Sequence, residues 1–242
     1  MLELSPDLVG LQEWYPTRAR LLTPTGRLGS VPHLGLRWSG SAERAAPTYL
    51  WNAPLFGGCV VGARADRFEL MQCRTRFLSA PGFADREERR RRVEPGRAAT
   101  VAIYRDLHLD RIVSLVNYHL VSGTQSGRSY RPDRPSLVSR HRREVQVLQR
   151  LVGEQLALGH VVYATGDSNF DGLRLDGLTS AWVGRDDAAG TLGPRRKVDD
   201  VHGPGPAESV TVLTTDSDHR AVMVRRGPTR PDGAGGSLAG ST

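Results

Sequence analysis

Cysteine is scarce: the chain of 242 residues has two, Cys59 and Cys73, and no Cys-x-x-Cys pair. That excludes a disulfide-stapled fold and a thiolate zinc site. The two residues flank a strand-like stretch and read as buried thiols of a reducing compartment, which predicts a cytoplasmic protein. No run of about 18 apolar residues occurs, so no membrane-spanning helix is expected. The opening MLELSPDLVGLQE lacks the basic and then apolar pattern of a secretion signal. Internal repeats are absent. Lysine is almost missing: Lys197 stands alone among basic residues that are otherwise Arg.

The Arg excess gives a net charge of +7. A basic balance suits an anionic partner such as nucleic acid. An Arg-, Ala-, Gly- and Pro-rich chain with one Lys is also what a GC-rich coding sequence yields, so charge alone leaves the partner open. The run Arg86–Arg92 (REERRRR) reads as a solvated face or, more sharply, as a phosphate-backbone contact.

Elements follow from periodicity. Asp7–Trp14 reads as a short buried strand ending in a polar loop, and residues 15–51 as loops with short strands. Gly58–Arg64 and Phe68–Leu78 read as a hairpin about Ala65–Arg67. Ala98–Arg105 and Arg111–Leu120 form a second pair of strands. Leu137–Leu158 carries Val138, Val145, Leu148, Leu151, Val152 and Leu156 at helical spacing, and Gly159 supplies the stop. His160–Thr165 is a β-branched run fit for a buried strand. Lys197–His202, Ser209–Leu213 and Arg220–Arg226 are three more short strands. Strands outnumber helices, which predicts two face-to-face sheets with helices outside, an α/β layered sandwich. One domain over residues 1–226 is expected, with a disordered tail at 227–242 and a monomeric state.

Polar clusters recur where the strands end: Gln12–Glu13, Asn117–His119, Gly166–Asn169 and Ser217–His219, with Asp199–Asp200 inside a strand. Singly each has a bland reading, because a Gly-Asp-x-Asn turn closes strands and exposed Asp-His pairs are common. In this order they resemble the endonuclease/exonuclease/phosphatase superfamily, the deoxyribonuclease I-like proteins. The carriers are LQE at Leu11–Glu13, NYHL at Asn117–Leu120, GDSN at Gly166–Asn169, VDD at Val198–Asp200 and SDH at Ser217–His219. The likeness covers about residues 7–226.

The resemblance implies a four-layer α/β sandwich, two packed mixed sheets flanked by helices, and a magnesium-dependent phosphoesterase, with Mn²⁺ as a possible substitute. Glu13 and Asp218 are the implied metal ligands. Asp167 would activate water, and Asn169 would hydrogen-bond a phosphoryl oxygen. His219 would contact the phosphate and move a proton, oriented by Asp199, with the neighbouring Asp200 as the hedge. His119 would protonate the leaving oxygen or bind phosphate, and Asn117 would bind substrate or brace its loop. Asp216 reads as a bystander. His33, His108, His141, His160 and His202 match no motif and read as surface or structural. Trp182 is a candidate stacking platform.

The family's first strand, which precedes Leu-Gln-Glu, has no counterpart here. Ser5–Asp7 looks like the end of the connection that would follow it, so either the start lies about 30 residues upstream of Met1, the favoured expectation, or the chain lacks that strand and one metal-site ligand. The implied function is a nuclease. The alternatives are a phosphatase or phosphodiesterase acting on a small phosphorylated molecule or lipid headgroup, and an inactive truncated family member that only binds.

Overall fold

The computed structural model describes residues 5–13, 35–38, 49–54, 57–85 and 91–227. Strands β1 (Leu8–Leu11), β2 (Gly35–Trp38), β3 (Tyr49–Asn52) and β4 (Val60–Arg64) form an antiparallel sheet in the order β1-β4-β3-β2. The chain then turns at 65–67 and changes sheets. β5 (Phe68–Ser79) is the edge of a second sheet and, among the described residues, pairs only with β8 (Arg97–Asp106), antiparallel. The hairpin expected across residues 58–78 is therefore not formed. β4 is already paired on both sides, to β1 and β3, and has no free edge for β5.

A small hairpin, β6 (Gly82–Asp85) and β7 (Arg91–Glu94), precedes β8, which pairs antiparallel with β9 (Arg111–His119) as expected. The short β10 (Gln125–Ser126) and β11 (Ser129–Tyr130) lead into α1 (Pro135–Ala157). Pro at the helix start needs no amide partner there, and Gly159, at φ 76°, ends the helix in the left-handed region. β12 (Val161–Asp167) returns parallel to β9, so α1 is a crossover connection. β13 (Thr179–Ser180) and β14 (Asp199–Gly203) complete the six-stranded sheet, in the order β13-β14-β12-β9-β8-β5. Among the described residues β15 (Ser209–Leu213) and β16 (Ala221–Arg225) pair only with each other.

One face of the six-stranded sheet packs on α1 through Val101, Val116, Tyr118 and Val162 against Leu148, Leu151 and Val152. Truncating a buried leucine such as Leu148 to Ala costs ~2–5 kcal/mol in such a core. The opposite face meets the four-stranded sheet through Ala102, Tyr104, Val113 and Leu115 against Val61 and Ala63. The described residues thus supply three of the four expected layers. α1 is the one helix among them, and no helix backs the four-stranded sheet within them. Both cysteines are free thiols. The expected tail falls outside the described residues apart from Gly227, as do His33 and most of the Arg86–Arg92 run.

The helix also carries polar residues on its buried face. Glu144 is fully buried and accepts from Arg140 Nε (3.0 Å), Ser79 Oγ (2.6 Å) and the Val121 amide (2.8 Å). Each donor satisfies part of a carboxylate that would otherwise be costly to bury. The result ties the start of α1 to the ends of β5 and β9, and the polar clusters lie at that same end of β9.

Candidate active site

Sheet register assembles the centre of the site. In the parallel β9–β12 ladder His119 lies opposite Asp167, and in the antiparallel β12–β14 ladder Asp167 lies opposite Asp199. The three therefore share one row and one face across adjacent strands about 4.8 Å apart. His219 is brought to this row by a bridge between its backbone and Leu192. Its Nδ1 donates to Asp199 Oδ2 at 2.8 Å. Asp200, one residue on, faces the other way and accepts from Ser180 Oγ (2.5 Å) and the Ala181 amide (3.2 Å). Of the two aspartates, Asp199 is the one that meets His219.

The turn after β12 is fixed from every side. Gly166 is required because a Cβ there would sit 2.1 Å from the Tyr118 carbonyl oxygen. Asp167 accepts from the Asn169 amide (2.7 Å) and from Asn169 Nδ2 (2.9 Å), and that Nδ2 also donates to the Leu120 carbonyl (3.0 Å). Asn169 holds φ 51°, a conformation Asn tolerates better than most residues. Between them Ser168 donates from Oγ to the Val198 carbonyl (2.7 Å). His141 lies beneath, fully buried. Its Nε2 donates to the Ser168 carbonyl (2.9 Å), and its Nδ1 accepts from the Tyr130 hydroxyl (3.0 Å).

Electrostatics divide the titratable groups. Burial, and then the Asp199 charge, push Asp167 up to about 7. The bond to Asp199 raises His219 as well, to about 9, so it is imidazolium at neutral pH. Burial lowers His119 to about 3. Its 3.5 Å approach to Asp167 is thus a contact of a neutral ring and not an ion pair. Of the two roles expected for His119, a neutral ring suits binding the phosphate better than protonating a leaving oxygen. It remains able to donate a hydrogen bond.

Glu13 ends the β1 loop, exposed and at φ 53°, and lines one cavity with Asp167, Asp199, Asp218 and His219. Asp218 is exposed and receives the Ser217 hydroxyl at 3.2 Å. Asn117 is fully buried, and its amide is used up inside the protein. Nδ2 donates to the carbonyls of Leu11 (2.8 Å) and Val60 (2.7 Å), while Oδ1 accepts from Gln12 Nε2 (2.5 Å). It clamps the two sheets together beside Glu13, the bracing role that is one of the two expected for it. Asp216 is exposed, as expected of a bystander.

Three residues of the site carry no motif. His141 is one, although its spacing with Leu137, Glu144 and Leu148 puts it on the buried face of α1. Thr191 is the second: its Oγ1 accepts from the Val198 (3.2 Å) and Asp199 (3.1 Å) amides and so sets the strand that presents Asp199. Arg97 is the third. Its charge acts on both His119 and Asp167, and its buried Nε has no hydrogen-bond partner. Trp182 is anchored at its indole N–H. Its indole N–H donates to the Asp199 carbonyl (3.0 Å), and Lys197 Nζ lies 5.4 Å from the ring centre. His202 is fully buried and structural, bonded to the Leu173 carbonyl at 3.1 Å.

Asp167, Asp199 and His219 each offer a ligand atom, all within 4.8 Å of one another. Two carboxylates held this close, one of them resisting ionisation, form a site short of positive charge. Their hard oxygen donors, with Glu13 and Asp218 on the same cavity, fit a divalent cation of the magnesium or manganese type.

This architecture, two packed sheets with a crossover helix behind the larger one, is the deoxyribonuclease I-like fold of endonuclease/exonuclease/phosphatase proteins. Among solved structures that share it, D. rerio TDP2 complexed with a single-strand DNA product aligns at TM-score 0.56 and 14% identity, over 92% of this chain and 86% of that one. The human Nocturnin catalytic domain with a bound sulfate anion aligns at TM-score 0.53 and 17% identity, over 92% and 83%. An endonuclease/exonuclease/phosphatase protein of Bacteroides vulgatus aligns at 0.54 and 15%, over 92% and 85%. No family model and no curated protein sequence matches the chain.

Proposed function

We propose that this protein is a divalent-cation-dependent phosphoesterase that hydrolyses phosphodiester bonds of nucleic acid. The observation that carries this reading is the row of Asp167 and Asp199 with the Asp199–His219 pair at 2.8 Å, on one wall of a cavity. The fold shared with a structure holding a single-strand DNA product supports a nucleic-acid substrate, as does the net charge of +7.

Glu13, Asp199 and Asp218 would hold the cation, Mg²⁺ or Mn²⁺, which when bound supplies charge neutralisation at the phosphate. Asp167, held near pH 7, is poised to take a proton from an attacking water, and Asn169 beside it keeps that carboxylate oriented. The water oxygen forms the new bond to phosphorus as the ester oxygen leaves. His219, a cation braced by Asp199, places a charged N–H against the phosphoryl oxygens where negative charge grows. Asp167 and His219 thus divide base and electrophile between two groups whose pKa values are both raised, one leaving a carboxylate able to accept a proton and the other keeping an imidazole charged. Arg97 lends a second positive charge to the same end of the sheet.

The test is a panel of single-stranded DNA, plasmid, RNA, inositol phosphates and an aryl phosphodiester, each with Mg²⁺, Mn²⁺ or EDTA. EDTA-sensitive cleavage of nucleic acid, weakened by salt, is expected. Hydrolysis of small phosphate esters alone would replace the nuclease with a phosphatase. Absence of any metal-dependent turnover would remove the enzymatic reading.

A further inference from the structure

We infer that Tyr130 and Phe170, with the Arg142 guanidinium beside them, form a stacking ledge for an unpaired base that flanks the scissile phosphate. The inference rests on the proposed phosphodiesterase reading and narrows its substrate to single-stranded nucleic acid. Phe170 directly follows Asn169, whose amide and Nδ2 both bond to Asp167. The Phe170 ring lies 4.5 Å from the Tyr130 ring, tilted by 40°, and 5.6 Å from the His141 ring. Arg142 is exposed, with Cζ 4.8 Å from the centre of the Tyr130 ring.

These rings are not core packing. Both are half-buried, and neither belongs to an apolar cluster of the core among the described residues. They are also held in place. Gln125 Oε1 accepts from the Asp171 amide (2.8 Å) and its Nε2 donates to the Asp171 carbonyl (3.3 Å), which fastens the β10–β11 hairpin to the residue after Phe170. The Tyr130 hydroxyl donates to Nδ1 of the buried His141 at 3.0 Å. A ring fixed in advance loses little conformational freedom when a ligand stacks on it.

The chemistry of the ledge selects its ligand. A π-face with a guanidinium at its side suits a base laid on the ring and a phosphate paired to the cation. Arg128, at the tip of the same hairpin, meets Asp186 only at 4.0 Å with both side chains exposed, a contact that solvent screens, so it too is open to a phosphate. In a duplex the faces of a base are covered by its stacked neighbours. A ledge of this kind therefore takes a single strand or a frayed end.

Binding measured in EDTA tests the ledge apart from turnover. The ligands are a short oligothymidylate, an abasic oligomer of equal phosphate count and a duplex of equal length. The parent chain should bind the oligothymidylate about tenfold more tightly than the abasic oligomer. Phe170→Leu should remove that preference and keep the affinity for the abasic oligomer, whereas Phe170→Tyr, which retains a ring, should keep both. Arg142→Gln should weaken both single strands alike and reduce the slope of log affinity against log salt by ~0.7. A parent chain that prefers the duplex would overturn the inference. So would a base preference that survives in Phe170→Leu, or an equal loss for both oligomers in that variant, which would assign Phe170 to the fold. If the parent chain binds no nucleic acid of any form, the nuclease reading fails as well; if it cleaves nucleic acid and Phe170→Leu keeps the base preference, the ledge alone fails.

Discussion

His219 spends Nδ1 on Asp199 Oδ2, at 2.8 Å, and Nε2 has no bond to the protein among the described residues. The pairing fixes the ring so that Nε2 is the atom left for substrate. Asp199→Asn and His219→Ala should therefore each lower kcat by about 10²–10⁴. Because the two act as a unit, the double variant should be little worse than either single one. Single-turnover rates on the best nucleic-acid substrate check this, and additive losses would separate the residues.

Asp167 should be a stability liability in the metal-free protein. Its pKa is raised to about 7 from an ordinary 3.8, so the folded state disfavours the ionised form. The penalty is fully present above pH ~7 and disappears as pH falls toward the unfolded value. Asp167→Asn should raise the Tm in EDTA at pH 8, with the gain shrinking to nothing near pH 4. His219 works in the opposite direction: raised to about 9, it stabilises below pH 6.5, and that contribution fades as pH climbs through 9. The Tm deficit of His219→Gln should accordingly be large at pH 6 and small at pH 10.

Cation binding should release protons. Near pH 7 Asp167 is partly protonated, and a divalent charge beside it favours the carboxylate. Calorimetry of Mg²⁺ or Mn²⁺ binding in buffers of different ionisation enthalpy should show a fraction of a proton released at pH 7. Asp167→Asn should reduce the release at that pH. A buffer-independent enthalpy at pH 7 in the parent chain would contradict the assignment.

His141 should matter to both stability and rate while touching no substrate. His141→Leu leaves the Ser168 carbonyl and the Tyr130 hydroxyl without their buried partner, at a cost of ~1–3 kcal/mol each. Ser168 sits between Asp167 and Asn169, so kcat should fall with little change in KM. Urea midpoints and steady-state kinetics on the same preparation test the two effects together.

Much of this site could be read from residue order, because the motifs mark the ends of strands that register brings side by side. His119, Asp167, Asp199 and His219 do converge. Three things were hidden for physical reasons. The sheet change at Ala65–Arg67 has the local signature of a hairpin turn, and only the occupied edges of β4 exclude one. The neutrality of His119 arises from burial, which residue type does not encode. Thr191 and Arg97 reach the site through contacts distant in sequence and belong to no local pattern. The choice between Asp199 and Asp200 was foreseeable in form, since neighbours on a strand must face opposite ways, but which of them met His219 depended on the β12–β14 register.

The histidine that completes the site begins at the end of a two-stranded ribbon that neither large sheet extends. Ribbons of that kind are marginal on their own. At its His219 end the ties to the body are the Leu192–His219 bridge, the Arg220 amide to the Thr191 carbonyl, the Arg220 guanidinium to the Gly190 carbonyl and the His219–Asp199 bond, while Arg226 holds the far end to the Thr179 and Val201 carbonyls. Warming can therefore release His219 while α1 and the six-stranded sheet stay folded. Inactivation and global melting become separate events, the first at the lower temperature.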